Sequence, residues 1–182
     1  KRLKFSLKEL DITFNDFDLI EEICSNLSDI NGIKRDYAVY LQISRGVSFP
    51  RTHHYEDNLT PNVFAYVKPI KDNSKEINNG VKVILGKDLR WLRCDIKSTS
   101  LLPAVLANQK AFKNSAYEAV LYRDNFITEG SHTNFFAVKD NKVFTAPSSN
   151  YILDGITRKI VLELCKENKI DFIEDYIKSK DL

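Results

Sequence analysis

The 182-residue chain has no methionine, one tryptophan, three cysteines, five prolines and six glycines. The cysteines, Cys24, Cys94 and Cys165, are far apart and odd in number. That fits a reducing compartment better than a disulfide framework, so the expected location is cytoplasmic. No Cys-x-x-Cys or His-x-x-x-His pair occurs, which argues against a structural zinc site, and no metal is expected. The longest apolar runs are only a few residues, far short of a membrane span. No signal-peptide pattern opens the chain. Charge of one sign is also missing: 27 Lys and Arg stand against 25 Asp and Glu, for a net charge of +2. The lysines are dispersed among acids, so neither a nucleic-acid nor a membrane partner is expected.

What remains is ordinary globular composition, 43% hydrophobic and 29% charged, in a chain long enough for one or two domains with a core. There are no repeats and no low-complexity tract. The chain opens KRLKF without an initiator methionine and stops at IKSKDL directly after a strand-like stretch. The expectation is therefore a chain trimmed at both ends.

Residues 15–31 place Phe17, Leu19, Ile20, Ile23, Cys24 and Leu27 at helical spacing, with Asn15 or Asp16 as a cap and Asn31-Gly32 as a stop. YAVYLQISRG (37–46) and NVFAYVKPI (62–70) read as strands. The polar, turn-rich KDNSKEINNG (71–80) reads as a linker, which divides the chain into domains 1–79 and 80–182. GVKVILGKDLRWLRCDIK reads as strand-like, and 101–115 as a helix with Pro103 in its first turn and Ser98, Thr99 and Ser100 as candidate caps. Short β segments then turn at Arg123-Asp124-Asn125 and Lys139-Asp140-Asn141. A helix over 155–169 and a last strand, IDFIEDYI, follow. Helices mixed with hairpins, without regular βαβ alternation, indicate an α+β fold.

Four segments carry polar groups suited to chemistry. In WLRCDIKST, Lys97 sits between a strand-like stretch and a helix entrance. A lysine amine there is a nucleophile toward carbonyls; a solvated surface lysine is the plainer alternative. In ITEGSHTNFF, Glu129 precedes Gly130, which lets the backbone approach a ligand, and Ser131, His132 and Thr133 follow. The segment also reads as a hairpin with a polar tip. In LDGITRK, Gly155 precedes a helix start at Ile156-Thr157, where free N–H groups and the Thr157 hydroxyl suit a phosphate; ordinary capping by Asp154 or Thr157 is the alternative. In SFPRTHHYED, Arg51 and His53 alternate and would point to one side of an extended segment, with Arg51 forked to meet a carboxylate. A solvated loop is again the alternative.

The order Arg-x-His, Lys, Glu-Gly-Ser, Gly-Ile-Thr-Arg resembles the class IV aminotransferases, pyridoxal-phosphate enzymes of fold type IV. RWLRCDIKS, AYEAVLYRDNFITEGSHTNFFAVKDNKVFTAP and ILDGITRKIV look most like the D-amino-acid aminotransferase subgroup, and the likeness covers most of 35–177. The resemblance implies a two-domain fold type IV architecture, with the smaller domain incomplete at its start and the larger at its end. It implies that Lys97 binds pyridoxal phosphate as a Schiff base and shuttles a proton, and that Glu129 pairs with the pyridine nitrogen. Leu153 would pack on one ring face, and Gly155, Ile156 and Thr157 would hold the phosphate, with Arg2 as a further phosphate contact. Ser131, His132 and Thr133 would lie beside the cofactor; His132 departs from the small serines of the subgroup. Arg51 and His53 would trap the substrate α-carboxylate. The implied reaction is transamination of D-amino acids, D-alanine with 2-oxoglutarate giving pyruvate and D-glutamate, by a homodimer. A branched-chain aminotransferase or aminodeoxychorismate lyase, and a non-catalytic module of the same fold, remain alternatives.

Overall fold

A computed structural model describes residues 1–34 and 36–182. The chain divides into two compact units, Lys1–Lys75 and Glu76–Leu182.

The first unit opens with α1 (Arg2–Glu9), which the sequence reading does not anticipate, and continues with α2 (Phe17–Ile30), β1 (Tyr37–Ser44) and β2 (Asn62–Pro69). The Asp16 carboxylate accepts from the Leu19 N–H at 3.0 Å and so caps α2. Asn31 ends the helix, and Gly32, at φ +58°, supplies the left-handed turn out of it. The apolar positions expected to share a face, from Phe17 to Leu27, are each half-buried, and α2 packs on β2. β1 and β2 form an antiparallel ribbon with Tyr40 opposite Tyr66, and their rings stack at 4.9 Å.

Residues 71–80 are not wholly linker: α3 (Ser74–Asn79) forms there, and the division between the units falls inside it. Asp72 starts it by accepting from the Ser74 N–H at 2.9 Å, a local side-chain-to-backbone bond of the kind that Asp makes readily at the edge of a helix.

In the second unit, β3 (Val83–Lys87) lies parallel to β4 (Glu118–Arg123), and α4 (Leu102–Lys113) is the crossover between them. β5 (Phe126–Gly130) completes a three-stranded sheet in the order β3-β4-β5. The core is small and well covered: Ala111 of α4 meets Ala119 and Leu121 of β4, with Ile84, Ala107 and Ala116 around them. Alanines at these positions let the helix sit close on the sheet.

A second sheet, β6-β7-β8, pairs β6 (Phe136–Lys139) antiparallel with β7 (Lys142–Thr145) and β7 parallel with β8 (Phe172–Glu174). Between β7 and β8 runs α5 (Ile156–Glu167). Both hairpins turn as expected, at Asp124-Asn125 and Asp140-Asn141, and all four residues have positive φ. That is the backbone a tight two-residue turn requires, and Asp and Asn tolerate it.

The α+β class stands, with a correction in detail. Two parallel crossovers, β3-α4-β4 and β7-α5-β8, occur where the sequence suggested no βαβ units. Their strands are only three to six residues long, too short for a clear periodic signal. The strand expected over 80–97 ends at Lys87, and the last strand is confined to Phe172–Glu174.

Candidate active site

After β3 the chain leaves the sheet and runs irregularly to α4. The reason is Asp88. Its N–H still donates to the Tyr122 carbonyl at 2.7 Å, but its buried carboxylate turns inward. Oδ1 accepts from the Arg90 N–H at 3.0 Å and Nε at 2.9 Å, and Oδ2 from Arg90 Nη2 at 2.8 Å and Thr128 Oγ1 at 3.0 Å. The bond from the Arg90 N–H to the Asp88 side chain closes a local turn that takes the chain out of the strand. Burial pushes the Asp88 carboxyl up, but the Arg90 guanidinium outweighs it and holds the group below its ordinary value.

Arg90 also reaches two other segments. Nη1 donates to Glu129 Oε1 at 2.5 Å, and Nη2 donates to the Tyr151 carbonyl at 3.2 Å. Further along, the Cys94 N–H donates to the Asn150 carbonyl at 2.9 Å and Asn150 Nδ2 to the Leu92 carbonyl at 2.7 Å. Cys94 and Ile96 are buried. Burial raises the Cys94 thiol to about 11, which keeps it protonated and inert. Lys97 emerges, exposed, from this anchored loop. It does not directly follow a strand as expected, and α4 begins without a side-chain cap from Ser98, Thr99 or Ser100.

Glu129, near the end of β5, is 4% exposed. Its carboxylate accepts from Arg90, from Asn134 Nδ2 at 2.9 Å, and from the Leu153 N–H at 3.1 Å to each oxygen. Burial raises its pKa, and Arg90 only partly offsets the shift. A carboxylate has about four lone-pair positions. Three donors make four contacts with it, and because the Leu153 N–H is shared between both oxygens, a stronger donor such as a protonated ring nitrogen would take over one of its two positions.

The bend after Gly130 is organised by a second buried carboxylate, Glu118 of β4. Oε1 accepts from the backbone N–H groups of His132 at 2.6 Å and Thr133 at 3.1 Å, and Oε2 from Thr133 Oγ1 at 2.8 Å. His132 Nδ1 lies 3.0 Å from Oε1, and Ser131 Oγ donates to Oε1 at 3.3 Å. Gly130 is required here, because a Cβ would fall 2.5 Å from Glu118 Oε1. Burial pushes Glu118 up, yet its bonds to His132 and Thr133 prevail and hold it low. The Glu118 carboxylate in turn raises the His132 imidazole.

Leu153 is half-buried and leads into α5, whose N-cap is Gly155 in an extended conformation. No side chain caps this helix. Ile156 and Thr157 are exposed at its first turn, so their end of the helix can present N–H groups to an anion. The donor set therefore fits a phosphorylated, ring-nitrogen-bearing cofactor: an uncapped helix start, a buried carboxylate that shares one N–H between both oxygens, and an accessible lysine.

Lys97, Glu129, Ser131, His132, Thr133, Leu153, Gly155, Ile156 and Thr157 all belong to the second unit, and the hydrogen bonds above join their segments. Arg2, Arg51 and His53 belong to the first. Arg2 lies in α1. Arg51 and His53 are exposed in a loop that bends at His53-His54, where Thr52 Oγ1 donates to the His54 carbonyl at 2.7 Å, so the segment is not extended throughout. Sequence reasoning missed Asp88, Arg90, Glu118 and Asn134. The available signal was charge inside apolar strand-like runs, where a buried ionised group needs a partner.

A family model for amino-transferase class IV matches residues 1–182, and the chain belongs to that family. It is 44% identical over 173 residues to a D-alanine aminotransferase of Bacillus licheniformis, covering 95% of this chain and 60% of that protein. It is 39% identical over 178 residues to a D-alanine aminotransferase of Staphylococcus aureus strain N315, covering 94% of this chain and 62% of that protein. Among solved structures, a branched-chain amino acid aminotransferase of Thermobaculum terrenum in its PLP-bound form superposes with a TM-score of 0.85 at 20% identity, over 99% of this chain and 60% of that one. The chain thus spans about three-fifths of the length of these relatives.

Replacing Arg90 with Met leaves Glu129 buried without its cation and Asp88 with only Arg123, 3.4 Å from Oδ1. The expected loss is about 3–5 kcal/mol at pH 7 in urea unfolding. The loss should shrink as the pH falls and both carboxylates take up protons; an acid-independent loss would mean that Arg90 acts by packing alone.

The His132–Glu118 pair has a defined pH window. The Glu118 contribution is present above the ordinary carboxylate value of 4.5 and disappears as pH falls through its lowered folded value. The His132 contribution is present below the ordinary imidazole value of 6.5 and disappears as pH rises through its raised folded value. In proton NMR the His132 ring should titrate above 6.5, and in Glu118→Gln it should return to the ordinary range. An unchanged midpoint in that variant would break the assigned contact.

Proposed function

We propose that the protein is a pyridoxal-phosphate-dependent aminotransferase acting on D-amino acids, with D-alanine and 2-oxoglutarate as the substrate pair. Family membership supports the reaction class. The observation that carries the reading is the buried Glu129 carboxylate joined through Arg90 to the loop that bears Lys97. The identity to two D-alanine aminotransferases supports the substrate choice. The structural likeness to a branched-chain enzyme, at 20% identity, bears on the fold alone.

When bound, the cofactor supplies an aldehyde and an electron sink for charge developing at the amino acid's α-carbon. Lys97 would hold the cofactor through its aldehyde, and its amine would serve as the group that takes the proton from the substrate α-carbon and returns it. Glu129 holds a proton on the ring nitrogen. Arg90, Asn134 and the Leu153 N–H donate to its oxygens and oppose the rise that burial causes. The α5 start, with Gly155, Ile156 and Thr157, takes the phosphate dianion, and Arg2 adds a cation. Leu153 lies against one ring face. Ser131, His132 and Thr133, held by Glu118, line the cofactor's edge. Arg51 and His53 take the substrate α-carboxylate, with Arg51 as a forked partner.

The same reading makes amino acids and 2-oxo acids the small-molecule partners and the assembly a homodimer. The division at residue 75 then separates a smaller substrate-binding domain from a cofactor-binding one. All three cysteines are free, which agrees with a cytoplasmic enzyme. No helix among the described residues is long and apolar enough to cross a membrane.

The test is an absorbance spectrum of the protein with pyridoxal phosphate, before and after D-alanine or L-alanine. A visible band that is lost with D-alanine only is expected. Loss with L-valine or L-leucine instead would favour a branched-chain aminotransferase, and pyruvate release from aminodeoxychorismate would favour the lyase. Lys97→Ala should show neither band nor turnover. Arg51→Ala should raise the KM for D-alanine about tenfold or more while leaving cofactor affinity unchanged; equal loss of both would make Arg51 structural.

A further inference from the structure

Asn134 follows the bend held by Glu118 and is half-buried. Both hydrogens of its amide are used. Nδ2 donates to Glu129 Oε2 at 2.9 Å and to the Leu153 carbonyl at 2.8 Å. Both partners are pure acceptors, so the reverse orientation of the amide would set oxygen against oxygen twice. The orientation is thereby fixed, and it points Oδ1 at Gly155. A Cβ on Gly155 would lie 2.1 Å from that oxygen. Gly155 has an ordinary φ of −66°, so glycine is required there by the Asn134 amide rather than by its backbone conformation.

One planar amide therefore touches three groups. It contacts the carboxylate at the ring-nitrogen position, the carbonyl of the residue at the ring face, and the glycine on which α5 starts. We propose that Asn134 is a positioning residue that couples the ring-nitrogen end of the cofactor site, at Glu129, to its phosphate end, at the α5 start. The proposal rests on the aminotransferase reading above. Asn134 touches no reacting atom. Its amide adds no charge, so it holds Glu129 Oε2 in place by one neutral donor beside the Arg90 cation on Oε1. Because the amide is rigid, a displacement of the 153–155 backbone is transmitted to the Glu129 oxygen.

The test uses the holoenzyme with pyridoxal phosphate labelled with ¹⁵N in the ring, read by ¹⁵N and ³¹P NMR alongside cofactor affinity. In Asn134→Ala the ring ¹⁵N signal should move toward the neutral-pyridine position. The ³¹P signal should move as well, and affinity should fall about tenfold, the scale of one hydrogen bond to a charged group. Gly155→Ala, placed on the phosphate side, should move the ring ¹⁵N signal in the same sense by displacing the amide. The double variant should be no worse than Asn134→Ala alone. Should Asn134→Ala not fold, Asn134→Asp keeps the shape, replaces the donor by an acceptor and is read by the same signals. Wild-type ¹⁵N and ³¹P signals in the Asn134 variant, or additive effects of the two substitutions, would overturn the coupling. A wild-type protein that takes up no pyridoxal phosphate would instead overturn the aminotransferase reading on which it rests.

Discussion

The second unit depends on one guanidinium. Arg90 sits between two carboxylates, Asp88 and Glu129, whose burial would otherwise drive them to take up protons. Arginine suits the position because it stays charged and its fork reaches two acceptors at once while a third N–H meets the Tyr151 carbonyl. The result is a junction of three chain segments that are far apart in sequence. The loop to Lys97, the end of β5 and the turn before α5 all close on it. The direction of each pKa shift follows from this arrangement. Asp88, paired bidentately, is held low, and Glu129, which burial raises and the same cation reaches through only a single N–H, stays raised.

Glu118, on the neighbouring strand β4, organises its own surroundings in the same way. It gathers two backbone N–H groups and three side chains, so the bend at 131–133 has no freedom to close differently. A small residue at 132 would leave Glu118 with fewer donors. The imidazole of His132 adds one whose strength depends on pH. The two buried carboxylates stand at the same end of one antiparallel strand pair. Glu118 shapes the bend and Glu129 faces into the site, while Asn134 stands on the short path between them.

Much of this was legible in the residues. The α2 helix, the β1–β2 ribbon and both hairpin turns came from local patterns that tertiary contacts had no reason to override. Asp16 caps, Gly32 ends a helix, and Asp-Asn pairs accept positive φ. The segments bearing Lys97, Glu129 and Gly155 were marked by polar and glycine residues that a core does not need. α1 and α3 were missed because they are short and polar, and the parallel crossovers because their strands are too short to show a period.

By itself the sequence determined the local alphabet of this protein. Helix starts and stops, turn residues and the four chemically unusual segments all arise from interactions within a few positions of the chain. Tertiary structure alone decided which charged groups neutralise one another. Asp88 and Arg90 are two residues apart, but Arg90 and Glu129 are 39 apart, and Asn134 and Leu153 are 19 apart. No local pattern specifies such partners, because the free energy of a buried charge depends on what the fold brings within hydrogen-bonding distance.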